Sequence, residues 1–218
     1  MKYLFLAIFI LSGAIHLYAS KRSDKKLRAQ TKWIILLALL GWYLCCSEKC
    51  SFVVIAAILT SWLGDVLLIF PGTKWFVSGG ISFMISHICF SLAYLTQIRF
   101  AAVPVWGIVL TALVYAVLVV LVFRGLKPYL KKALYYPMFF YLLINGTMNS
   151  FALFRLISMP CFATVLSFIG AVLFFISDST LFYVRFSKST VFKTHFLVML
   201  TYIIAEFMIV EGLILAGM

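Results

Sequence analysis

The sequence predicts an all-α, polytopic membrane protein: eight transmembrane helices in one domain covering residues 1–218. Three observations carry this. First, hydrophobic residues make up 65% of the chain and charged ones 11%, against about 45–50% and about 25% in soluble domains. Phe alone occurs 22 times, against 6 acidic residues, too much apolar side chain for a soluble globule of this length to cover. Second, apolar runs recur at close to the ~20 residues that a helix needs to cross a bilayer. Third, most Lys and Arg fall in alternate connectors between those runs. The same figures exclude an intrinsically disordered chain, a collagen-like repeat and a secreted disulfide scaffold. A net charge of +12 would suggest nucleic acid in a soluble protein. Here it is distributed over short connectors, and no nucleic-acid partner is expected.

The runs lie near residues 3–19, 33–46, 52–70, 75–96, 103–123, 134–154, 161–183 and 195–216. The first is followed at once by Lys21, Arg22, Lys25, Lys26 and Arg28. Positive charge there opposes export of the downstream chain and marks a retained helix rather than a cleaved signal. The second run is short and must borrow flanking residues or distort the bilayer. Pro71-Gly72 closes the third run, and Pro104 opens the fifth, where a first helical turn accepts proline. Gly125 and Pro128 separate the fifth from the sixth, and Pro160 precedes the seventh. Pro137 falls inside the sixth and is expected to bend it. The connectors after the odd-numbered runs hold 14 Lys and Arg, the amino terminus and other connectors 4. The excess places the odd connectors in the cytoplasm and both termini outside. Short loops suit a bacterial inner membrane, or the endoplasmic reticulum in a eukaryote. Cys45, Cys46 and Cys50 cluster without zinc-site spacing, and a Cys46–Cys50 bridge is open to that loop in an oxidising compartment.

Ionisable groups inside spans are costly and mark function by default. Asp65 lies five residues before the end of the third run and Asp178 seven before Arg185. At 1.5 Å per residue both sit roughly 8–10 Å inside one membrane face, the cytoplasmic face on the charge tally. His87, Asn145 and Glu206 fall nearer the midplane. Helical spacing puts Ser61 with Asp65; His87 with Ser91 and Tyr94; Tyr141 with Asn145 and Asn149; and His195 with Met199, Tyr202 and Glu206. Helices three, four, six, seven and eight are therefore expected to line a polar cavity, with two and five facing lipid. A lone Asn or His in a span is more often interhelical glue than catalyst. His195 and Glu211, near span ends, read as interfacial. Two aspartates at matched depth in different helices are harder to assign to packing. Gly64-Asp65-x-x-Leu68 also echoes Ser177-Asp178-x-x-Leu181, as a parallel duplication of two four-helix halves would require.

These residues resemble the YhhN-like lysoplasmalogenases. The similar stretches are Ser61-x-x-Gly64-Asp65-x-x-Leu68, Phe76-x-x-Gly79-x-x-x-Phe83-x-x-x-His87-x-x-Phe90 and Gly170-Ala171-x-x-Phe174-x-x-Ser177-Asp178-x-x-Leu181, in this order, across residues 59–186. Phe90 stands where a tyrosine is expected after the histidine, which leaves Tyr94 as its substitute. The resemblance implies an eight-helix membrane hydrolase that cleaves the vinyl ether bond of lysoplasmalogens, releasing a fatty aldehyde and glycerophosphocholine or glycerophosphoethanolamine. It implies Asp65 and Asp178 as catalytic residues, a lysophospholipid as partner, and no cofactor or metal.

The chemistry suits two carboxyls. A vinyl ether is stable to base and labile to acid: protonation of its outer carbon gives an oxocarbenium ion that water captures, and the hemiacetal collapses. Glycoside hydrolysis meets a comparable cation with two carboxyl groups. Neighbouring carboxyls at low dielectric do not both ionise easily, so one is expected to hold a proton. Ser61, His87, Tyr94, Asn145, Asn149 and Glu206 are the supporting candidates, and Lys74, Arg185 or Lys188 candidates for the phosphate. Two rivals remain at this point: a metal-dependent lipid hydrolase built on Asp65, His87, Asp178 and Glu206, and a proton-coupled transporter with Asp and His relays. An intramembrane aspartyl protease fits worse, because Trp62 replaces the first glycine of its Gly-x-Gly-Asp motif and Ser177 the tyrosine before its other aspartate.

Overall fold

The computed structural model describes residues 1–187 and 195–218. Eight α-helices occur among them: α1 (Lys2–Lys21), α2 (Lys25–Cys46), α3 (Phe52–Leu67), α4 (Thr73–Leu95), α5 (Val105–Leu126), α6 (Tyr135–Ser158), α7 (Phe162–Phe186) and α8 (Phe196–Ile214). No strand is present among the described residues. Seven segments are long and apolar enough to cross a membrane, and α3, at 16 residues, is the shorter eighth helix. The chain is an integral multi-pass membrane protein.

Successive helices run antiparallel. His16 meets Thr31 across α1 and α2, Ser61 meets Ser86 across α3 and α4, and Arg155 meets Ser167 across α6 and α7. The basic connectors therefore gather at one end of the bundle, its basic end. α5 is the most lipid-facing helix, burying only Gly107, Thr111, Val119 and Leu126.

Glycines set how closely the inner helices approach. A Cβ on Gly170 would lie 2.9 Å from the Ala205 carbonyl, and one on Gly212 2.5 Å from that of Ala163. Small residues thus bring the α7 and α8 backbones together, as membrane helices commonly do. A Cβ on Gly64 would strike the Phe83 ring at 2.7 Å, so the glycine of the Gly64-Asp65 pair exists to seat that ring. Away from the basic end, the fully buried Arg155 donates to Ser167 Oγ at 2.9 Å and to the Gly212 carbonyl at 3.2 Å, with its guanidinium beside the Tyr94 ring. One side chain thereby ties α4, α6, α7 and α8.

α2 borrows flanking residues, one of the two outcomes that its short apolar run allows. It extends back to Lys25, capped by Asp24 on the Leu27 amide at 3.0 Å, because a helix of useful length needs the basic residues of the connector. Other expectations change. α2 does not face lipid as α5 does: Ile35, Leu36, Leu39 and Tyr43 are fully buried, while Trp33 and Leu44 on its other side are exposed. Pro137 is the third residue of α6, in the first turn, where its missing N–H has no intrahelical partner to lose. Cys46 and Cys50 are both free. Their turn is held instead by the Ser51 amide donating to Tyr43 Oη at 2.8 Å.

Candidate functional site: a carboxylate pair in a basic cavity

α3 ends at Leu67, earlier than its apolar run, so Asp65 lies in the last turn of its helix. Asp178 lies two turns inside α7. Despite these unequal depths along their own helices, both line one cavity of ≈ 90 Å³ at the basic end. Arg28 and Lys32 of α2, Arg185 of α7, and His195 and Tyr202 at the start of α8 line the same cavity. Its floor is an aromatic cluster in which Phe83, Phe174 and Tyr202 meet edge to face, and His87 packs on Phe174 at 4.7 Å.

The two carboxylates are held differently. Asp65 Oδ1 pairs with Lys32 Nζ at 3.0 Å, and its Oδ2 accepts from Tyr202 Oη at 2.9 Å. Asp178 has no lysine or arginine partner among the described residues. Its Oδ2 accepts from Tyr141 Oη at 2.6 Å and Asn145 Nδ2 at 2.8 Å, and lies 3.1 Å from His87 Nε2. All three contacts converge on one oxygen, which leaves Oδ1 available to a bound molecule.

The supporting candidates fall into two groups. His87 and Asn145 touch Asp178 directly. Asn149 sits one turn behind, donating to Asn145 Oδ1 at 3.1 Å and accepting from Tyr115 of α5 at 3.2 Å. Ser61, one turn before Asp65, bonds to Ser86 at 2.8 Å. Glu206 is fully buried among Ser61, Tyr202 and Asp65, and neither of its oxygens makes a hydrogen bond of good geometry. Tyr94 is not brought to the carboxylates. It lies two turns along α4 from His87, beside Arg155. Of the phosphate candidates, Arg185 lines the cavity and Lys74 does not. Lys188 lies outside the described residues. Among the described residues no three His, Cys, Asp or Glu side chains gather as a metal-binding group.

Lys32, Tyr141 and Tyr202 touch the carboxylates, yet none stands out in the sequence as a site residue. Lys32 reads there as one more orientation charge. The signal that finds it is the shortness of the second apolar run, which forces the helix back past Lys32 and makes that lysine an in-helix cation. Tyr141 and Tyr202 are visible as members of the Asn145 and Glu206 stripes.

A wider vestibule of ≈ 290 Å³ adjoins the cavity, lined by His16, Lys25, Arg28, Lys32, Arg185 and His195 with no acidic side chain. Such a concentration of cations attracts anions.

The family model of the YhhN family matches residues 27–213. The chain belongs to the YhhN family. The match runs from α2 into α8 and includes both aspartates and Lys32. Membership makes this YhhN protein a membrane protein of lysoplasmalogenase type at the level of the family. No curated protein and no solved structure matches it.

Proposed function

We propose that this YhhN protein hydrolyses the vinyl ether bond of lysoplasmalogens, with Asp65 and Asp178 as its acid–base pair. The observation that carries the reading is the meeting of two carboxyls from α3 and α7 in one cavity that opens into a cationic vestibule. A lysophospholipid has one phosphate, one bond to cleave beside it and one chain. The vestibule suits the phosphate, and its Arg28 and Arg185 also line the carboxylate cavity.

Their surroundings suggest a division of labour. Asp65, paired with Lys32, is the group that stays ionised, so it stabilises the oxocarbenium ion and takes a proton from the attacking water. In this reading Asp178 is the acid and acts through Oδ1, the oxygen without a hydrogen bond. Its Oδ2 then serves as the carbonyl acceptor for Tyr141, Asn145 and His87. When Oδ1 gives its proton to the outer vinyl carbon, those donors are already placed to stabilise the carboxylate that forms, with no reorganisation required. Water adds to the cation, its proton passes to Asp65, and the hemiacetal breaks into aldehyde and glycerophospho-alcohol. No proton is consumed overall, and transfer from Asp65 back to Asp178 resets the site.

The test is aldehyde release from a lysoplasmenyl lipid by the purified protein, beside Asp65→Asn and Asp178→Asn. Release by the wild type and its loss in both variants is the expected result. Turnover by either variant at near wild-type rate overturns the pair. No turnover by the wild type, together with solute flux in proteoliposomes, overturns the enzyme reading in favour of a transporter.

A further inference from the structure

We infer that the hydrocarbon chain of a single-chain lipid lies in the groove between α4 and α6, and that Gly80 sets how much of that chain the groove accepts. The inference rests on the proposed function, in which the substrate is a lysolipid. The groove has a volume of ≈ 410 Å³ and an almost wholly apolar wall. Phe76, Gly80 and Met84 line one side, Pro137 and Phe140 the other, and Phe182 the inner end. From Phe76 to Met84 it follows α4 for eight residues, about 12 Å. Its outer rim is open: Tyr136 and Phe140 are 77% and 54% exposed, on a surface that faces lipid.

Continuity with the carboxylates decides the occupant. A constriction of only ≈ 10 Å³ lies between the groove and the cavity. It shares Phe76, Gly80, Tyr141 and Phe182 with the groove, and Leu68, Phe83 and Leu181 with the cavity. Tyr141 belongs to both neighbourhoods, since its ring walls the groove while its hydroxyl donates to Asp178. A chain in the groove thus lies next to Asp178, and its polar end reaches that carboxyl once the constriction widens, with the vestibule beyond it for the headgroup.

Gly80 is the second observation. Gly79 beside it packs against Leu68 and the Gly64 carbonyl, whereas a Cβ on Gly80 would have no atom within 4 Å. A helix-interior glycine is destabilising against alanine, and no close helix contact offsets that here. Its place on the groove floor does, because any side chain there fills the space.

The experiment compares Gly80→Leu, Gly80→Ala and wild type on short-chain and long-chain alkenyl lysolipids. It is paired with photolabelling of Asp178→Asn by a lysolipid carrying a diazirine at its chain end. Gly80→Leu is expected to lower kcat/KM for the long chain about tenfold relative to the short one, since each buried methylene it displaces is worth a few-fold. Gly80→Ala should shift the ratio the same way but less. The label should fall on α4 and α6. Equal loss on both chain lengths, or labelling spread evenly over lipid-facing helices, overturns the groove. If Gly80→Leu does not fold, the alanine ratio and the labelling decide. Labelling of the groove without aldehyde release by wild type would keep the chain site and overturn the hydrolase. Aldehyde release with no change in chain preference would do the reverse.

Discussion

The Asp65 half of the site and the Asp178 half are built on one plan with different chemistry. Each aspartate receives a partner from the preceding antiparallel helix, 33 residues earlier: Lys32 for Asp65 and Asn145 for Asp178. Each also receives a donor from the other half of the chain, Tyr202 of α8 onto Asp65 and His87 of α4 onto Asp178. A duplicated four-helix unit would leave this crosswise pattern, and superposing residues 1–104 on 105–218 tests it. What differs is charge. One carboxyl has a cation beside it and the other a set of hydrogen-bond donors, and the proposed division into anion and acid rests on that difference.

The sharpest way to break the comparison is to neutralise each carboxyl. Asp65→Asn and Asp178→Asn should each lower turnover by at least about 100-fold, the scale of acid–base catalysis, measured as aldehyde release. Lys32→Met should reveal the asymmetry in stability. It strands a buried carboxylate and should cost about 3–5 kcal/mol, read as a lowered thermal midpoint, and adding Asp65→Asn should recover most of the loss without restoring turnover. Asn145→Leu removes only a dipole and should cost less. Tyr141→Phe deletes one hydrogen bond to Asp178 with little change of shape. About 1–2 kcal/mol predicts a kcat lower by roughly tenfold. The smallest effect belongs to the vestibule: Arg28→Gln should raise KM several-fold, with a smaller change in kcat, as loss of a phosphate contact does.

The helix count and both aspartates could be read from the sequence because a charge in an apolar run has few explanations. Relative depth was harder. Counting from the end of the apolar run puts Asp65 and Asp178 level, and both line one cavity although α3 stops at Leu67 and leaves Asp65 in its last turn. The shared cavity comes from the packing of short α3 between α2 and α4, and hydropathy does not encode that. Lys32 was hidden because a cation at a span boundary satisfies the orientation rule as well as it satisfies an aspartate. Tyr94 misled for a simpler reason: helical spacing puts it on the His87 face, but two turns along a helix is about 10 Å, enough to reach a different polar cluster, that of Arg155.

The arrangement of groove, carboxylate cavity and vestibule has a consequence for the moments after the bond breaks. The proposed reaction splits an amphiphile into an oil and a water-soluble alcohol, and those two pieces cannot share an exit. The groove opens on lipid and the vestibule is polar and cationic, with the cleaved bond between them. Each product can leave by the door it entered through. The reactive aldehyde returns to the bilayer without crossing water, and the glycerophospho-alcohol departs without crossing oil. In the proposed reaction the act of cleavage would assign each product to its own solvent.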